Sequence, residues 1–418
     1  MTQDTFNQGL MEFLASSPTP FHATSQLSKH LKETGFIRLN ESDIWQLQKG
    51  GKYYLTRNDS SLIAFVYGHD DINESGICML GAHTDSPCLK LKPNTIIHKK
   101  GYIQLGVEVY GGALLNPWFD RDLSLAGRVS GLNDKGDLVH PLVDFKRPVA
   151  LIPSLAIHLD KEANKNRSIN AQTDIPPIMM QSEEGICFED ILLEETGLNE
   201  ILDFELMFYD TQEPSLVGFH QEFLASARLD NLLSCYVGLE GIKSSTGQKS
   251  ALLICSDHEE VGSESTSGAG GPFLEMFLKR INPTPEGYAR MINVSMMISA
   301  DNAHGVHPNF TSKHDENHGP LLNHGPVIKV NANQRYASNS ETISEFKLLC
   351  KKVDVPYQSF VTRTDMGCGS TIGPITATKI GVKTIDVGLP TFAMHSIRES
   401  AGTKDAYALH KVLGNYFS

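Results

Sequence analysis

The stretch ALLICSDHEEVGSES, residues 251–265, places a dense cluster of acid directly after a short apolar run. Five mostly apolar residues continue without a break into DHEE, residues 257–260, and Gly262 follows. A short apolar run bounded by turn residues is typical of a buried strand in a parallel sheet. Because open α/β sheets bind ligands beyond the carboxyl ends of their strands, this stretch predicts both an α/β fold and the place of a site.

The rest of the chain alternates helices and strands on either side of a different module. FNQGLMEFLAS and ATSQLSKHLKETG have helical spacing, whereas SLIAFVYG and ICMLGAHTD are typical of strands. From about residue 94 to 220, short period-2 runs such as YIQLGVEVYGG and the turn NDKGD predict a mostly antiparallel β module. The α/β pattern then returns with the buried strands SMMISAD and KTIDVGLP. We therefore expect an α/β domain built from residues 1–93 and 221–418, with a β-rich domain, residues 94–220, inserted into it.

Composition limits the classes of partner. The chain has 418 residues, 36 Lys and Arg against 49 Asp and Glu, and a formal net charge of -13, which argues against a broad nucleic-acid or anionic-membrane surface. Its start has no signal-peptide pattern and no run is long enough to span a membrane, so the expected location is cytoplasmic. Seven scattered cysteines without CxxC spacing suggest neither a disulfide framework nor a thiolate zinc site. Small molecules, peptides or other subunits are the expected partners.

Metal-capable side chains recur at the ends of four predicted strands. They are His83 and Asp85 in GAHTD, Glu259 and Glu260 in SDHEEVG, Asp301 and His304 in ISADNAH, and His395 after GLPTFAM. Asp230 in SARLDN precedes an apolar helix, where it is either a ligand or a helix N-cap. Imidazole nitrogen with carboxylate oxygen suits zinc or a similar ion, and a catalytic zinc keeps one position for water. Three carboxylates and two imidazoles are too many for one open site, so the sequence predicts two ions that share an aspartate.

The adjacent glutamates can divide two roles between them. Successive side chains at a strand end point in different directions, so one can bind an ion while its neighbour takes a proton. We assign Glu260 to a metal and Glu259 to general-base catalysis on a metal-bound water, whose pKa the ions lower toward about 7. Asp85 is expected to accept a hydrogen bond from the ring nitrogen of His83 that does not bind metal.

Each cluster has a structural alternative when it is considered alone. A single histidine is more often a hydrogen-bonded structural residue than a ligand, Asp230 can be only an N-cap, and the glutamate pair can be solvated charge. The joint occurrence of five clusters beside apolar runs favours a site. Other motifs are weaker: SGAGGP lacks the GK[ST] of a phosphate loop, no GxSxG elbow is present, and MGCGSTIGP is interpreted as a backbone turn near the site.

Long motifs extend these clusters. Together they closely resemble the aspartyl aminopeptidase family of dinuclear zinc exopeptidases. The motifs that carry the resemblance are GAHTDSPCLKLKP, YGGALLNPWFDRDLSLAGRV, IPSLAIHLD, SARLDN, DHEEVGSES, SMMISADNAHGVHPN, GPVIKVNANQRYASN, TDMGCGSTIGP and AMHSIRE. The resemblance covers nearly the whole chain. It implies a three-layer α/β/α zinc-peptidase domain made from both chain ends, an inserted β-rich dimerisation domain, and assembly as a tetrahedral dodecamer.

The resemblance also implies a role for each site residue. One zinc ion is held by His83 and Asp301 and the other by Glu260 and His395, with Asp230 bridging them and Glu259 as the base. Three further roles come from the resemblance alone. His304 binds the substrate carbonyl and its developing oxyanion, His158 reaches from the inserted domain into a neighbouring subunit's active site, and Lys329 meets the acidic side chain of the substrate.

The expected activity is hydrolysis of the N-terminal residue of peptides, preferably Asp or Glu, by attack of a dizinc-bound hydroxide. Two Zn²⁺ per subunit are expected, and Mn²⁺ or Co²⁺ accept the same ligands. One alternative is an aminopeptidase of the same mechanism that prefers neutral or basic residues. A second is a dinuclear carboxypeptidase or deacylase, and a third is a non-catalytic cargo or scaffold shell that retains metal.

Overall fold

The computed structural model describes residues 1–181 and 187–418. The chain divides into two compact units according to its internal contacts. The first unit comprises Met1–Asp85, Pro214–Met394 and Glu399–Ser418, and the second comprises Ser86–Glu213 and His395–Arg398.

The first unit opens with three helices, the first two of them amphipathic, and four strands. Its elements are α1 (Gln3–Ala15), α2 (Pro20–Glu33), β1 (Ile37–Arg38), β2 (Lys52–Arg57), β3 (Ser61–Val66), α3 (Ile72–Ser75) and β4 (Ile77–His83). The hydroxyl of Thr2 caps α1 by accepting from the N–H of Thr5, and Thr19 caps α2 in the same way, with Pro20 following it.

The second unit is mainly antiparallel sheet. Its elements are β5 (Cys88–Lys99), β6 (Tyr102–Tyr110), β7 (Leu123–Leu132), β8 (Leu138–Val139), β9 (Leu142–Asp144), β10 (Ile178–Gln181), α4 (Phe188–Thr196) and β11 (Glu200–Asp210). The strands form one sheet in the order β10-β6-β5-β11-β7-β8, and β9 also pairs with β7. The predicted turn NDKGD joins β7 to β8, with the N–H of Asn133 donating to the carbonyl of Asp137 at 3.1 Å. The predicted β-rich module is therefore confirmed.

The chain returns to the first unit for its remaining elements. These are β12 (Ser215–Val217), β13 (Phe223–Ser226), α5 (Leu229–Lys243), β14 (Ser250–Ser256), α6 (Phe273–Ile281), α7 (Pro285–Asn293), β15 (Met296–His304), β16 (Val327–Val330), α8 (Ser340–Lys352), β17 (Gln358–Val361), α9 (Ile372–Ile380), β18 (Lys383–Phe392), β19 (Glu399–Gly402) and α10 (Asp405–Tyr416).

The sheet of the first unit is covered by helices on both faces. Its strands follow the order β1-β2-β3-β14-β4-β15-β18-β19-β13-β12, and β16 and β17 attach through β18. Alternate residues of β14 point to opposite faces: Ala251 and Leu253 join a core with α1, α2, α5, α8 and α10, whereas Leu252 and Ile254 join a core with α6 and α7. A strand apolar on both faces is expected at the centre of such a sheet. The three-layer α/β/α prediction is confirmed.

The boundaries between the units differ from the predicted ones. Residue 93 lies inside β5, which runs without a break from Cys88 to Lys99 in the sheet of the second unit. Residue 220 lies after β12, which already pairs with β13 in the sheet of the first unit. Strand pairing, not composition, sets the structural boundaries, which fall at Ser86 and Pro214.

Among the residues that the structure describes, no helix has both the length and the apolar composition needed to cross a bilayer.

Candidate metal centre

The carboxyl ends of β4, β14 and β15 lie side by side because these strands are parallel neighbours. Ser256 at the end of β14 pairs with His83 at the end of β4. On the other side of β4, Gly81 pairs with Ser299 of β15. His83 and Asp301 each lie two residues beyond this pair. They are therefore level with each other and lie on the same face of the sheet as Gly81 and Ser299. Strand register alone brings these distant clusters together.

His83 lies at the centre of a buried group of carboxylates. Its Nε2 is 3.3 Å from Asp230 Oδ1 and 3.6 Å from Asp301 Oδ1, and all three residues are buried. A tetrahedral zinc ion with bonds of about 2.1 Å holds its ligand atoms about 3.4 Å apart. The two distances from the imidazole therefore fit ligands of one ion, and the three ligand atoms all lie within 4.8 Å of one another.

Glu259 and Glu260 leave β14 through a turn with left-handed backbone. His258 has φ 65° and Gly262 has φ 99°, and they flank the single 3-10 turn Glu259–Val261. The turn redirects both glutamates toward β4, where Glu259 Oε2 is 3.9 Å from His83 Nε2. Ligand atoms of His83, Glu259 and Glu260 all lie within 4.8 Å of one another. Both glutamates thus approach the imidazole, and the assignment of base and ligand between them stays a prediction.

Asp85 connects the imidazole to the glutamate turn. Its Oδ1 and Oδ2 accept hydrogen bonds from the backbone N–H groups of Glu259 and Glu260, each at 3.1 Å. Asp85 Oδ1 is also 3.4 Å from His83 Nδ1, and the backbone carbonyl of Asp85 is 3.0 Å from the same nitrogen. A proton on Nδ1 donated to these oxygens makes Nε2 the coordinating atom. The role of Asp85 as the carboxylate partner of His83 stays a prediction.

Two residues that the sequence analysis did not single out hold the Asp230 backbone. The N–H of Asp230 donates to the carboxylate of Glu399 at 2.9 Å, and Glu399 is buried. The next residue, Asn231, donates from Nδ2 to the carbonyl of Ala300 at 2.8 Å. The only signals in the sequence were an amide in SARLDN and an acid in SIRES. Neither shows which distant backbone group it contacts.

Lys329 on β16 lies behind Asp301. Its Nζ donates to Asp301 Oδ2 at 3.1 Å and to the carbonyl of Asn302 at 2.6 Å, and the residue is 2% exposed. Burial works against the ammonium form, but Asp301 and Tyr336 reverse that effect and raise the pKa of Lys329. Burial likewise opposes ionisation of Asp301, yet Lys329 and His83 lower its pKa below the usual range. The pair therefore keeps Asp301 ionised, which is the form that binds a cation.

The glutamates experience the opposite electrostatics. Burial raises the pKa of Glu259 to about 7, and Asp301 and Asp230 add to the shift against the opposing effect of His83. Burial and then Asp230 also raise the pKa of Glu260. Divalent cations placed among these carboxyl groups would favour their ionised forms. The donor set, one imidazole with several crowded carboxylates, therefore fits zinc.

A cavity of about 290 Å³ adjoins His304 in the same unit. His304 ends β15, and its ring packs edge to face on Phe360 with centroids 5.7 Å apart. Further lining comes from Tyr336 and from the loop 366–369 of MGCGSTIGP. Ligand pockets in proteins start at about 300 Å³, so this cavity has room for a small group such as an amino-acid side chain.

His395 and His158 belong to the second unit. The backbone carbonyl of His395 accepts from the N–H of Leu114 at 3.0 Å, and its Nδ1 is 3.2 Å from the carbonyl of Gly112. With the proton on Nδ1, the lone pair of Nε2 would be available to a metal. His158 is exposed. The roles of both histidines stay predictions.

Comparisons with known proteins agree with this site chemistry. The family model for aminopeptidase I zinc metalloproteases (M18) matches residues 13–417. A "Probable M18 family aminopeptidase 2" of Pseudomonas aeruginosa strain UCBPP-PA14 is 57% identical over 420 residues, which cover 99% of this chain and 98% of the relative.

Solved structures are similar over the same length. A chain from a cryo-EM structure of the Ape4 and Nbr1 complex superposes with a TM-score of 0.95 at 38% identity, and the match covers 99% of this chain and 86% of that chain. The mApe1 dodecamer of S. cerevisiae gives a TM-score of 0.87 at 27% identity, covering 99% and 96%. With a metal-binding geometry at the carboxyl edge of its sheet and a family match over nearly its whole length, the chain belongs to the M18 family of zinc aminopeptidases.

Proposed function

We propose that this aminopeptidase removes the N-terminal residue of peptides with two zinc ions and prefers Asp or Glu at that position. The observation that carries the proposal is the buried group formed by His83, Asp230 and Asp301, which Glu259 and Glu260 approach from the next strand. Such a group offers enough ligand atoms for more than one ion and leaves one further carboxylate for proton transfer. The family supplies zinc and aminopeptidase activity.

We assign the ligands of the two ions as the resemblance implies. His83 and Asp301 would hold one ion, Glu260 and His395 would hold the other, and Asp230 would contribute to both. When bound, the ions supply Lewis acidity that polarises a carbonyl group and lowers the pKa of a water molecule toward about 7.

The chain's own residues perform the proton transfers and the positioning. Glu259 accepts a proton from the attacking water at a carboxylate oxygen and later donates it to the leaving amine. His304 donates an N–H to the substrate carbonyl oxygen as that oxygen gains negative charge. Asp85 holds the His83 ring and the glutamate backbone in one arrangement.

Preference for an acidic residue requires a local cation in a chain of net charge -13. Lys329 is that cation in this proposal, because its ammonium is buried and a charge in a poorly solvated setting acts more strongly than an exposed one. An ammonium has three donors, and contacts with Asp301 and Asn302 use two of them. The third serves the substrate carboxylate.

A panel of peptides with N-terminal Asp, Glu, Leu or Lys tests the proposal. We expect kcat/KM to be highest for Asp and Glu, and we expect Lys329→Ala to remove at least about tenfold of the advantage of Glu over Leu, since a charge-assisted hydrogen bond is lost. Lys29→Ala, which removes an exposed lysine of α2, is the control and should leave the ratio unchanged.

The same panel separates the alternatives. Cleavage of peptides whose amino group is acetylated would indicate a carboxypeptidase or deacylase, and bound zinc without turnover would indicate a shell that only retains metal. A Glu to Leu ratio that Lys329→Ala leaves unaltered would show that another residue selects the side chain.

We also propose that the active enzyme is a dodecamer in which His158 completes a neighbouring site. Leu155, Ile157 and Leu159 are 59%, 50% and 74% exposed on the segment that carries His158. Three large aliphatic side chains exposed within five residues are typical of a protein interface. The S. cerevisiae relative forms a dodecamer.

His158→Ala is expected to keep the oligomer and to lower kcat/KM by about tenfold or more, because the imidazole is lost while the apolar contacts remain. Light scattering and steady-state kinetics measure the two effects, and His98→Ala, in strand β5 of the same unit, is the control. A monomeric wild-type enzyme with full activity would contradict the assembly proposal.

A further inference from the structure

Asp386 is a fully buried carboxylate on β18 that the proposed mechanism does not use. Its Oδ1 accepts hydrogen bonds from the hydroxyls of Ser299 at 2.8 Å and Thr371 at 2.5 Å. Its Oδ2 accepts from the backbone N–H of Ala337 at 2.7 Å. A buried carboxylate is costly unless its oxygens are hydrogen-bonded, and here three donors from three separate segments satisfy them.

Each donor belongs to a segment that reaches the cavity beside His304. Ser299 lies on β15, the strand that ends at His304. Ala337 follows Tyr336, which lines the cavity, and Thr371 follows the lining loop 366–369. The Asp386 backbone adds a further link, because its N–H donates to the hydroxyl of Ser338 at 3.0 Å. The Asp386 carboxylate therefore links the segments that contain Tyr336 and the loop 366–369 to the central sheet.

The first turn of α9 is in close contact with the Asp386 carboxylate. Thr371 is the N-cap of α9 and its hydroxyl accepts from the N–H of Gly373 at 3.3 Å while donating to Asp386. A Cβ on Gly373 would lie 2.5 Å from both carboxylate oxygens. The first turn of α9 therefore packs directly on the carboxylate, at the helix end that favours negative charge.

We propose that Asp386 is a positioning residue for substrate binding, which holds Tyr336 and the loop 366–369 in place around the cavity. The inference rests on the proposed function, since it takes the cavity to receive the N-terminal side chain of the substrate. Asp386 acts through Thr371 and Ala337 and does not contact substrate. Its loss should therefore weaken binding more than it slows the chemical step.

Thr371 offers a matched pair of variants. Thr371→Val keeps the shape of the side chain but removes the hydroxyl, whereas Thr371→Ser keeps both the hydrogen bond to Asp386 and the helix cap. We expect Thr371→Val to raise KM about tenfold with kcat within about twofold of wild type, because one hydrogen bond to a buried charged group is lost. Thr371→Ser should stay within about twofold of wild type in both constants.

Two measurements separate positioning from simple stability. Zinc content and oligomeric state should not change in Thr371→Val. The Kd of free glutamate should rise in parallel with KM when it is measured by calorimetry on the zinc-loaded enzyme. A purely structural role would lower the Tm and the active fraction while leaving KM and Kd unaltered. Asp386→Asn provides a second variant, in which the amide cannot accept from all three donors, and it should shift KM in the same direction and further.

If the wild type prefers Asp and Glu, an unchanged KM and Kd in Thr371→Val would overturn the positioning role. A raised Kd in Thr371→Val, in an enzyme whose wild type shows no preference for Asp or Glu, would uphold positioning and overturn only the proposed specificity.

Discussion

Glu259→Gln is expected to lower kcat by about a thousandfold while both zinc ions stay bound. The amide has nearly the shape of the carboxylate but cannot take a proton, and general-base catalysis typically contributes 10²–10⁴-fold. The metal content should not change because the ligands assigned here, including Glu260, are untouched. Steady-state kinetics on an N-terminal Glu peptide and elemental analysis of the purified enzyme measure the two quantities.

The neighbouring glutamates supply the controls for this experiment. Glu264→Gln changes an exposed residue of the same loop and should leave kcat within about twofold of wild type. Glu260→Gln should instead lose zinc. The ligand atoms of both glutamates lie within 4.8 Å of a ligand atom of His83, so the reverse pattern, with zinc lost in Glu259→Gln, would exchange the two roles. A wild-type kcat in Glu259→Gln would exclude it as the base.

His83→Ala is expected to lose at least one zinc ion per subunit and to lower kcat/KM by more than about a thousandfold. The imidazole is a nitrogen donor among carboxylates, with Asp230 and Asp301 at 3.3 and 3.6 Å from its Nε2. Even residues that only orient a ligand change affinity or activity by about 10–100-fold, and loss of the ligand itself should cost more. Elemental analysis and kinetics at several zinc concentrations check the result.

The stability of this variant can be separated from its metal binding. Because zinc binds the folded state, chelation should lower the Tm of the wild type, and zinc-free wild type is then the proper reference for His83→Ala. The exposed His69 provides the control, since His69→Ala should keep both zinc and activity. Two zinc ions per subunit in His83→Ala would remove this residue from the ligand set.

The strands and the edge of the sheet that carries the site follow from local patterns. Apolar runs such as ALLICS and SMMISA predict buried strands, and parallel neighbours end at the same edge. Once β4, β14 and β15 are adjacent, the pairing of Gly81 with Ser299 and of His83 with Ser256 places the acid and imidazole clusters together. The convergence of His83, Asp301 and the glutamate pair was therefore predictable from the sequence.

The supports of the site were not predictable in the same way. Glu399 holds the Asp230 backbone and Asp386 joins three segments, but both residues occupy strands whose pattern indicates only burial. Their function depends on which distant N–H or hydroxyl groups face them, and strand periodicity carries no such information. The unit boundaries were displaced for a related reason, since pairing partners, not composition, decide where one sheet ends and the next begins.

Lys329 illustrates how a structure changes the meaning of a predicted residue. The resemblance implies contact with the acidic side chain of the substrate, whereas the structure places its ammonium against Asp301 and Asn302. The two roles are compatible because one ammonium has three donors. Lys329→Ala should therefore affect both specificity and the Asp301 carboxylate, and zinc content must be measured beside the Glu to Leu ratio.

The central claim is that one imidazole and a set of carboxylates from distant parts of the chain bind a pair of zinc ions while Glu259 remains unligated. Anomalous diffraction at the zinc edge from crystals of the zinc-loaded enzyme tests it most directly. We predict two peaks per subunit, one beside His83 and Asp301, the other beside Glu260 and His395, with Asp230 between them. A single peak, or a zinc ion coordinated by Glu259, would contradict it.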